Sequence, residues 1–340
     1  MTHRRESSAT AAPAGRAPGS LTQREVDGLE RAVRFFTTRD GARLAYHEYG
    51  DPAGRPVMFF HPSGAHVSAM LLHKPALERG FRVVVPDRPG IGRSDFIPGW
   101  DPLNFAGMVA DLADHLCLGT FGAMGLSGGG PTLLAAAFSM PERLDFVVDL
   151  ACAVPLYGDA DARKHLGTID RLYARIGTDL PLGLFQIPFS MIGVTQKLLH
   201  SPRAFELMFS SSLCAADKVL FDSAELRYVM MRDVQEWFRQ GSRPASYDAR
   251  TVYQDWGFSL AEVRTHIEVF HGSDDRFVPL RFSEYLTTTA ADVRLNVLDG
   301  EGHFYHLAYA DDTFARLEAL SPAHGRGRGD DGADGGESSA

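Results

Sequence analysis

Cysteine is scarce in this chain: Cys117, Cys152 and Cys214 are the only three among 340 residues. The number is odd and no CxxC pair occurs, which excludes a disulfide framework and leaves no cysteine pair to hold zinc. A reducing compartment, the cytoplasm, is the expectation. Basic residues are outnumbered, 34 Lys and Arg against 43 Asp and Glu, for a formal charge of −9. No basic run offers a footprint for nucleic acid, and the acidity reads as solubility. Long hydrophobic runs are missing as well. The longest, 181–194, contains Gln186 and Pro188 and falls short of the ~18 residues a bilayer span needs. Arg4-Arg5 is followed by no apolar run, so no export signal is read there. Val, Ile, Leu, Phe, Tyr and Trp are all absent from 1–20 and from 321–340. Such segments cannot offset their ordering entropy, and disordered tails are expected over 1–25 and 321–340.

What is present is ordinary for a soluble globular protein, 44% hydrophobic and 23% charged. At ~150 residues per domain the length fits two units, or one unit with an insertion. From 34 to 152 short apolar runs alternate with helical patterns. Arg34–Thr38 and Leu44–Tyr49 flank the turn residues Arg39-Asp40-Gly41, a hairpin signal. Val57–Phe60, Phe81–Val85, Phe121–Leu126 and Leu144–Cys152 read as strands, and 104–116 as a helix through Phe105, Met108, Val109, Leu112 and Leu116. Strands apolar on both faces and separated by helices predict a parallel sheet covered on both sides. The alternation lapses over 155–256, where helical patterns dominate. There Asp222 and Glu225 are placed to form a capping box for a helix carrying Leu226, Met230, Val234 and Trp237 on one face. It resumes at Ile267–His271. The reading is an α/β core, 26–154 and 257–320, interrupted by a helical cap.

The sharpest motif is Gly125-Leu126-Ser127-Gly128-Gly129, a GxSxG lying between an apolar strand and a helical run opened by Pro131. Small residues at 125 and 129 allow a turn sharp enough to project a serine from the sheet edge. The N–H groups that follow, Gly128 first, would face the place where negative charge develops. A glycine-rich turn whose serine merely caps a helix is the bland alternative, and the strand-to-helix setting argues against it. A serine nucleophile needs a base, and in such a fold the base follows the last strand. Here that strand is Arg294–Leu298, followed by His303, with His306 as a local rival. The orienting carboxylate is expected after the strand before it, where Asp274 and Asp275 stand side by side.

With Gly272-x-x-Asp275 before Phe277-Val278-Pro279, and with Gly302-His303, the GxSxG turn resembles the α/β-hydrolase superfamily over roughly 34–155 and 258–320. The resemblance implies a mostly parallel sheet covered by helices, with an inserted cap, and a triad in the order Ser127, Asp275, His303. It selects Asp275 over Asp274 by its distance from Gly272 and Pro279. Phe60-His61-Pro62-Ser63-Gly64 is similar to the family's HGxP-like turn and would make Ser63 N–H an oxyanion donor beside Gly128. Pro62 replaces the usual glycine there, removing an N–H and stiffening the loop. Asp87-Arg88-Pro89-Gly90-Ile91-Gly92-Arg93-Ser94 resembles the family's DxPGxGxS turn and reads as backbone geometry.

The implied function is serine hydrolysis of an ester or related carbonyl through an acyl-enzyme, with a small-molecule substrate and neither cofactor nor metal. Carbon–carbon hydrolysis, a lyase or a perhydrolase on the same triad, or a non-catalytic binding protein, are the alternatives. Homo-oligomerisation is left open. An apolar substrate is expected from the cap's Leu184, Phe185, Phe189, Met191, Phe205, Met208, Phe209, Phe221, Tyr228, Met230, Met231, Trp237 and Phe238. His61, Phe185, Phe189, Met230 and Trp237 are the expected substrate contacts.

Overall fold

Short β-branched and aromatic runs separated by helices bury both strand faces when the strands align in parallel between helical layers. A computed structural model of the chain describes residues 21–155, 177, 181–198, 210 and 212–320. In chain order it holds α1 (Gln23–Arg31), β1 (Arg34–Thr37), β2 (Arg43–Gly50), β3 (Arg55–Phe60), α2 (His73–Glu78), β4 (Phe81–Pro86), α3 (Pro102–His115), β5 (Phe121–Leu126), α4 (Gly130–Ser139) and β6 (Leu144–Leu150). The insertion contributes α5 (Leu182–Leu198), α6 (Ala215–Leu220), α7 (Ala224–Trp237) and α8 (Ser242–Thr251). The alternation resumes with β7 (Ile267–Gly272), α9 (Arg281–Thr289), β8 (Val293–Leu298), α10 (Tyr305–Ala308) and α11 (Ala310–Leu320).

The strands form one eight-stranded sheet in the order β1-β2-β4-β3-β5-β6-β7-β8. β1 and β2 are an antiparallel hairpin turning at Gly41 (φ +84°), β2 runs antiparallel to β4, and the rest are parallel. Side-chain alternation feeds a core on each face. Val57, Phe59, Val83, Val85, Met124 and Leu126 lie on one face, and Met58, Phe60, Val84, Phe121 and Ala123 on the other. The chain steps outward from β3 to β4, then crosses back to place β5 on the other side of β3, with Phe60 opposite Gly125. Strand order reverses there, which makes the carboxyl ends of β3 and β5 the switch point where open α/β sheets form their ligand crevice.

Two expectations need correction. The tail expected over 1–25 does not extend through 21–25. Thr22 and Glu25 form a reciprocal capping box on α1, with Thr22 N donating to Glu25 Oε2 at 2.6 Å and Glu25 N to Thr22 Oγ1 at 3.3 Å. Leu21 and Val26 are buried and anchor it. Glu225 is not a capping partner of Asp222. It accepts from Leu21 N instead, and Ser223 caps α7 by accepting from Leu226 N at 3.2 Å. Residues 1–20 and 321–340 lie outside the described residues. Among those described, no helix is long and apolar enough to cross a membrane.

Candidate active site

β5 delivers Ser127 into the crevice. The residue holds φ +52°, a left-handed conformation that costs a side-chain-bearing residue about 1–2 kcal/mol and recurs where function over-determines the backbone. Glycine on either side makes the turn physically feasible. A Cβ on Gly125 would lie 3.0 Å from Leu133 Cβ, and one on Gly129 would lie 2.8 Å from the Phe60 carbonyl carbon. Residues Ser127–Gly129 wind as a 3-10 turn into α4, and Ser127 O accepts from Ala153 N at 2.9 Å.

The loop after β3 closes on this turn from the other side of the crevice. A Cβ on Gly128 would stand 2.7 Å from Ser63 N and closer still to Ser63 Oγ, so only glycine permits this approach. Ser63 N–H has no acceptor among the described residues. Gly128 N–H lies in the first turn of its helix, where amides lack intrahelical partners. Two N–H groups from neighbouring loops therefore stand side by side at the sheet edge. His61, expected to contact substrate, is fully buried and serves the loop instead. Its Nδ1–H donates to Pro62 O at 2.9 Å, and its Nε2 lacks a partner among the described residues. Burial, reinforced by the Arg88 charge, holds its pKa well below the usual value, so the ring is neutral.

His303 and Asp275 arrive on the loops after β8 and β7 and meet at 2.7 Å, Nδ1 to Oδ2. The other oxygen of Asp275 accepts from Phe277 N at 2.8 Å and Val278 N at 2.9 Å, and His271 Nε2 lies 3.4 Å from the first. Burial opposes the Asp275 anion, but the His303 charge and the hydrogen bonds from His271 and His303 prevail and hold its pKa well below the carboxylate range. Burial likewise opposes the His303 cation. Asp275, through charge and hydrogen bond, and Asp217, through charge, outweigh it and raise the His303 pKa above its usual value. Asp274 is exposed to solvent. His306 is buried with Nε2 donating to Phe270 O at 3.1 Å, and burial pushes its pKa down to about 3. No hydrogen bond joins Ser127 to His303 among the described residues. Catalytic hydrogen bonds often tighten only when substrate is bound.

The apolar residues expected to contact substrate divide differently. Phe185, Phe189 and Met230 are buried, with Phe189 5.3 Å from Phe185 and edge-on to Trp237 at 5.7 Å between ring centres. Trp237 is half-buried and donates its indole N–H to Asp248 at 3.1 Å. Phe205, Met208 and Phe209 lie outside the described residues. The aromatic wall beside the base is built instead by Phe277, stacked on His303 at 5.1 Å, and by Phe304, edge-on to it at 5.5 Å and packed on Phe221. Their adjacency to Asp275 and His303 in the chain was the available signal, and sequence reasoning missed it.

Among the described residues, one buried group offers metal-ligand chemistry. His47, His66 and Asp87 bring ligand atoms within 4.8 Å of one another. The two rings are stacked 3.4 Å apart and nearly parallel, so an ion in the plane of one ring lies out of the plane of the other. His66 Nδ1 binds Asp87 at 2.9 Å, which supplies the buried carboxylate with its counter-charge.

A serine on a sharp strand-to-helix turn, a histidine–aspartate pair on later loops and paired amides at the switch point of a mostly parallel sheet define the α/β-hydrolase architecture. The chain belongs to the alpha/beta hydrolase family, whose model matches residues 17–317. It is 26% identical over 294 residues to a non-heme haloperoxidase of Rhodococcus erythropolis, covering 83% of this chain and 97% of that protein. It is likewise 26% identical over 300 residues to a 2-hydroxy-6-oxononadienedioate/2-hydroxy-6-oxononatrienedioate hydrolase of Pseudomonas putida, covering 84% and 94%. The fold is shared with an esterase from Exiguobacterium antarcticum, with a TM-score of 0.61 at 19% identity, covering 84% of this chain and 97% of that one.

Proposed function

We propose that the protein is a serine hydrolase that cleaves a neutral, apolar ester or related carbonyl compound through an acyl-enzyme. The observation that carries this reading is the His303–Asp275 pair at the same sheet edge as Ser127 and the adjacent Ser63 and Gly128 amides. In this mechanism His303 Nε2 takes the Ser127 hydroxyl proton as Oγ attacks the carbonyl carbon. Asp275 holds Nδ1–H and stabilises the imidazolium that forms. The Ser63 and Gly128 amides receive the oxyanion. Collapse expels the alcohol, protonated by His303, and a water deprotonated by the same imidazole releases the acid and restores Ser127.

The electrostatics of the surroundings favour a neutral substrate. The described part of the insertion brings Asp217, Asp233 and Asp248 to the catalytic loops, and Arg88 is already paired with Asp248. With Asp248 neutralised by Arg88, Asp217 and Asp233 are the carboxylates that would repel a dianionic substrate. The aromatic wall of Phe277 and Phe304 suits an apolar acyl or ring group. Turnover of p-nitrophenyl esters of increasing chain length tests this. Activity that rises from acetate towards medium chains, and is lost by at least a thousandfold in Ser127→Ala, is expected. Preference for short polar esters would contradict the apolar reading, and full activity in Ser127→Ala would contradict the mechanism. The Pseudomonas putida relative keeps carbon–carbon cleavage as the second reading, and product analysis separates it from ester hydrolysis.

A further inference from the structure

We propose that Arg88 is the positioning residue of the oxyanion site, and that the insertion holds it in place through Asp248. The inference rests on the acyl-transfer reading for its catalytic consequence and on geometry for its structural one.

Arg88 follows β4 in the turn that the sequence presents as backbone geometry alone, and its side chain is buried. Its guanidinium has two sets of partners. Towards the site, Nη1 donates to His61 O at 2.6 Å and Nη2 to Pro62 O at 2.9 Å. Towards the insertion, Nε and Nη2 clasp the two oxygens of Asp248 on α8, with the Nη2 contact at 3.0 Å. Asp248 is itself steadied by the Trp237 indole N–H of α7. A planar fork can meet two carbonyls and a carboxylate together, whereas a lysine ammonium cannot reproduce that arrangement.

The consequence follows from peptide geometry. Pro62 C=O and Ser63 N–H belong to one rigid, planar, trans unit and point in opposite directions. Holding the oxygen of that unit therefore aims its hydrogen. Arg88 on Pro62 O directs Ser63 N–H away from the guanidinium, and Gly128 closes in on that same nitrogen. The cation also polarises the amide, which strengthens Ser63 N–H as a donor. Proline at 62 adds a fixed φ, so its departure from the family's glycine stiffens the same unit. Further along the loop, Asp233 of α7 accepts from Ala65 N at 3.0 Å and Ser68 N at 2.7 Å. Insertion helices thus grip the loop on both sides of Ser63, and a shift of α7 or α8 re-aims the donor.

The test compares Arg88→Lys, Asp248→Asn and Trp237→Phe with the parent. A bond that serves only to fasten α8 would lower stability without separating kcat from KM. The positioning role predicts that kcat on a p-nitrophenyl ester falls roughly 10- to 100-fold in the first two variants, as for a misaimed oxyanion donor, while KM stays within about threefold. Affinity for a trifluoromethyl ketone, which forms a tetrahedral adduct, should fall by the same factor. Trp237→Phe removes the N–H to Asp248 and part of the ring packed on Phe189 while leaving Arg88 and Asp248 in place; it should move kcat the same way by less, which keeps the comparison available if a stronger variant fails to fold. Hydrogen exchange over 60–68 should accelerate in each folded variant. Folded variants with kcat within twofold of the parent, or a loss confined to KM, would overturn the catalytic role. Unchanged exchange over 60–68 would overturn the positioning itself. A parent that neither turns over esters nor labels at Ser127 would remove the acyl-transfer reading alone, and the exchange result would still decide what Arg88 holds.

Discussion

In the proposed mechanism His303 sets the working pH of the site. Asp275 and Asp217 raise its pKa above the usual value despite burial, and only the neutral imidazole can accept the Ser127 proton. As pH falls through the raised pKa the base is lost, so the acid limb of kcat/KM should lie above the unperturbed value of about 6.5. Asp275→Asn removes the largest favourable charge, so the limb should move to lower pH while turnover falls by about 10⁴. A pH–rate profile on an aryl ester checks both, and a parent limb at or below pH 6 would contradict the assignment. Residues at this scale were legible where chemistry is written locally. The glycines around Ser127 and the place of His303 after the last strand are local marks, and the fold brings both residues to the carboxyl edge of the sheet. Asp274 and Asp275 stand side by side and only the resemblance chose between them; the structure buries Asp275 on His303 and leaves Asp274 in solvent.

Helix α6 illustrates what a short element can do for a distant loop. Asp217 in this helix accepts from Phe304 N at 3.0 Å and His303 N at 3.3 Å, and a side chain on Gly302 would collide with its carboxylate. The loop that carries the base is thus fastened by an inserted helix. Asp217→Ala would leave two buried amides without acceptors, at about 1–3 kcal/mol each. Unfolding in urea should show a loss of about 2–4 kcal/mol, with Asp217→Asn recovering part of it. A loss under about 0.5 kcal/mol in the alanine variant would mean the contacts hold nothing. The elements themselves were largely readable. The β1–β2 hairpin, the strands after it and the return to alternation at β7 all follow hydrophobic periodicity. The start of α1 does carry a local mark, Thr22-x-x-Glu25, which the tail expected over 1–25 passes over, whereas Glu225 turns from α7 to Leu21 across 204 residues, a pairing that leaves no local mark.

Across the molecule, among the described residues, three insertion helices each place one buried aspartate on the sheet edge that carries Ser127. Asp217 holds the His303 loop, Asp233 the loop beyond Ser63, and Asp248 holds Arg88. The partners lie 86, 168 and 160 residues apart in the chain, so periodicity and motif spacing carry no trace of them. Sequence reasoning looked to the insertion for apolar substrate contacts. Phe185 and Phe189 pack on each other within it, and its links to the His303 loop, the Ser63 loop and Arg88 are polar. The central claim, that this assembly activates Ser127, is tested most directly by intact-protein mass after exposure to a fluorophosphonate, with Ser127→Ala and His303→Ala alongside. The account predicts one adduct on the parent and none on either variant. An unlabelled parent, or an adduct that persists in Ser127→Ala, would contradict it.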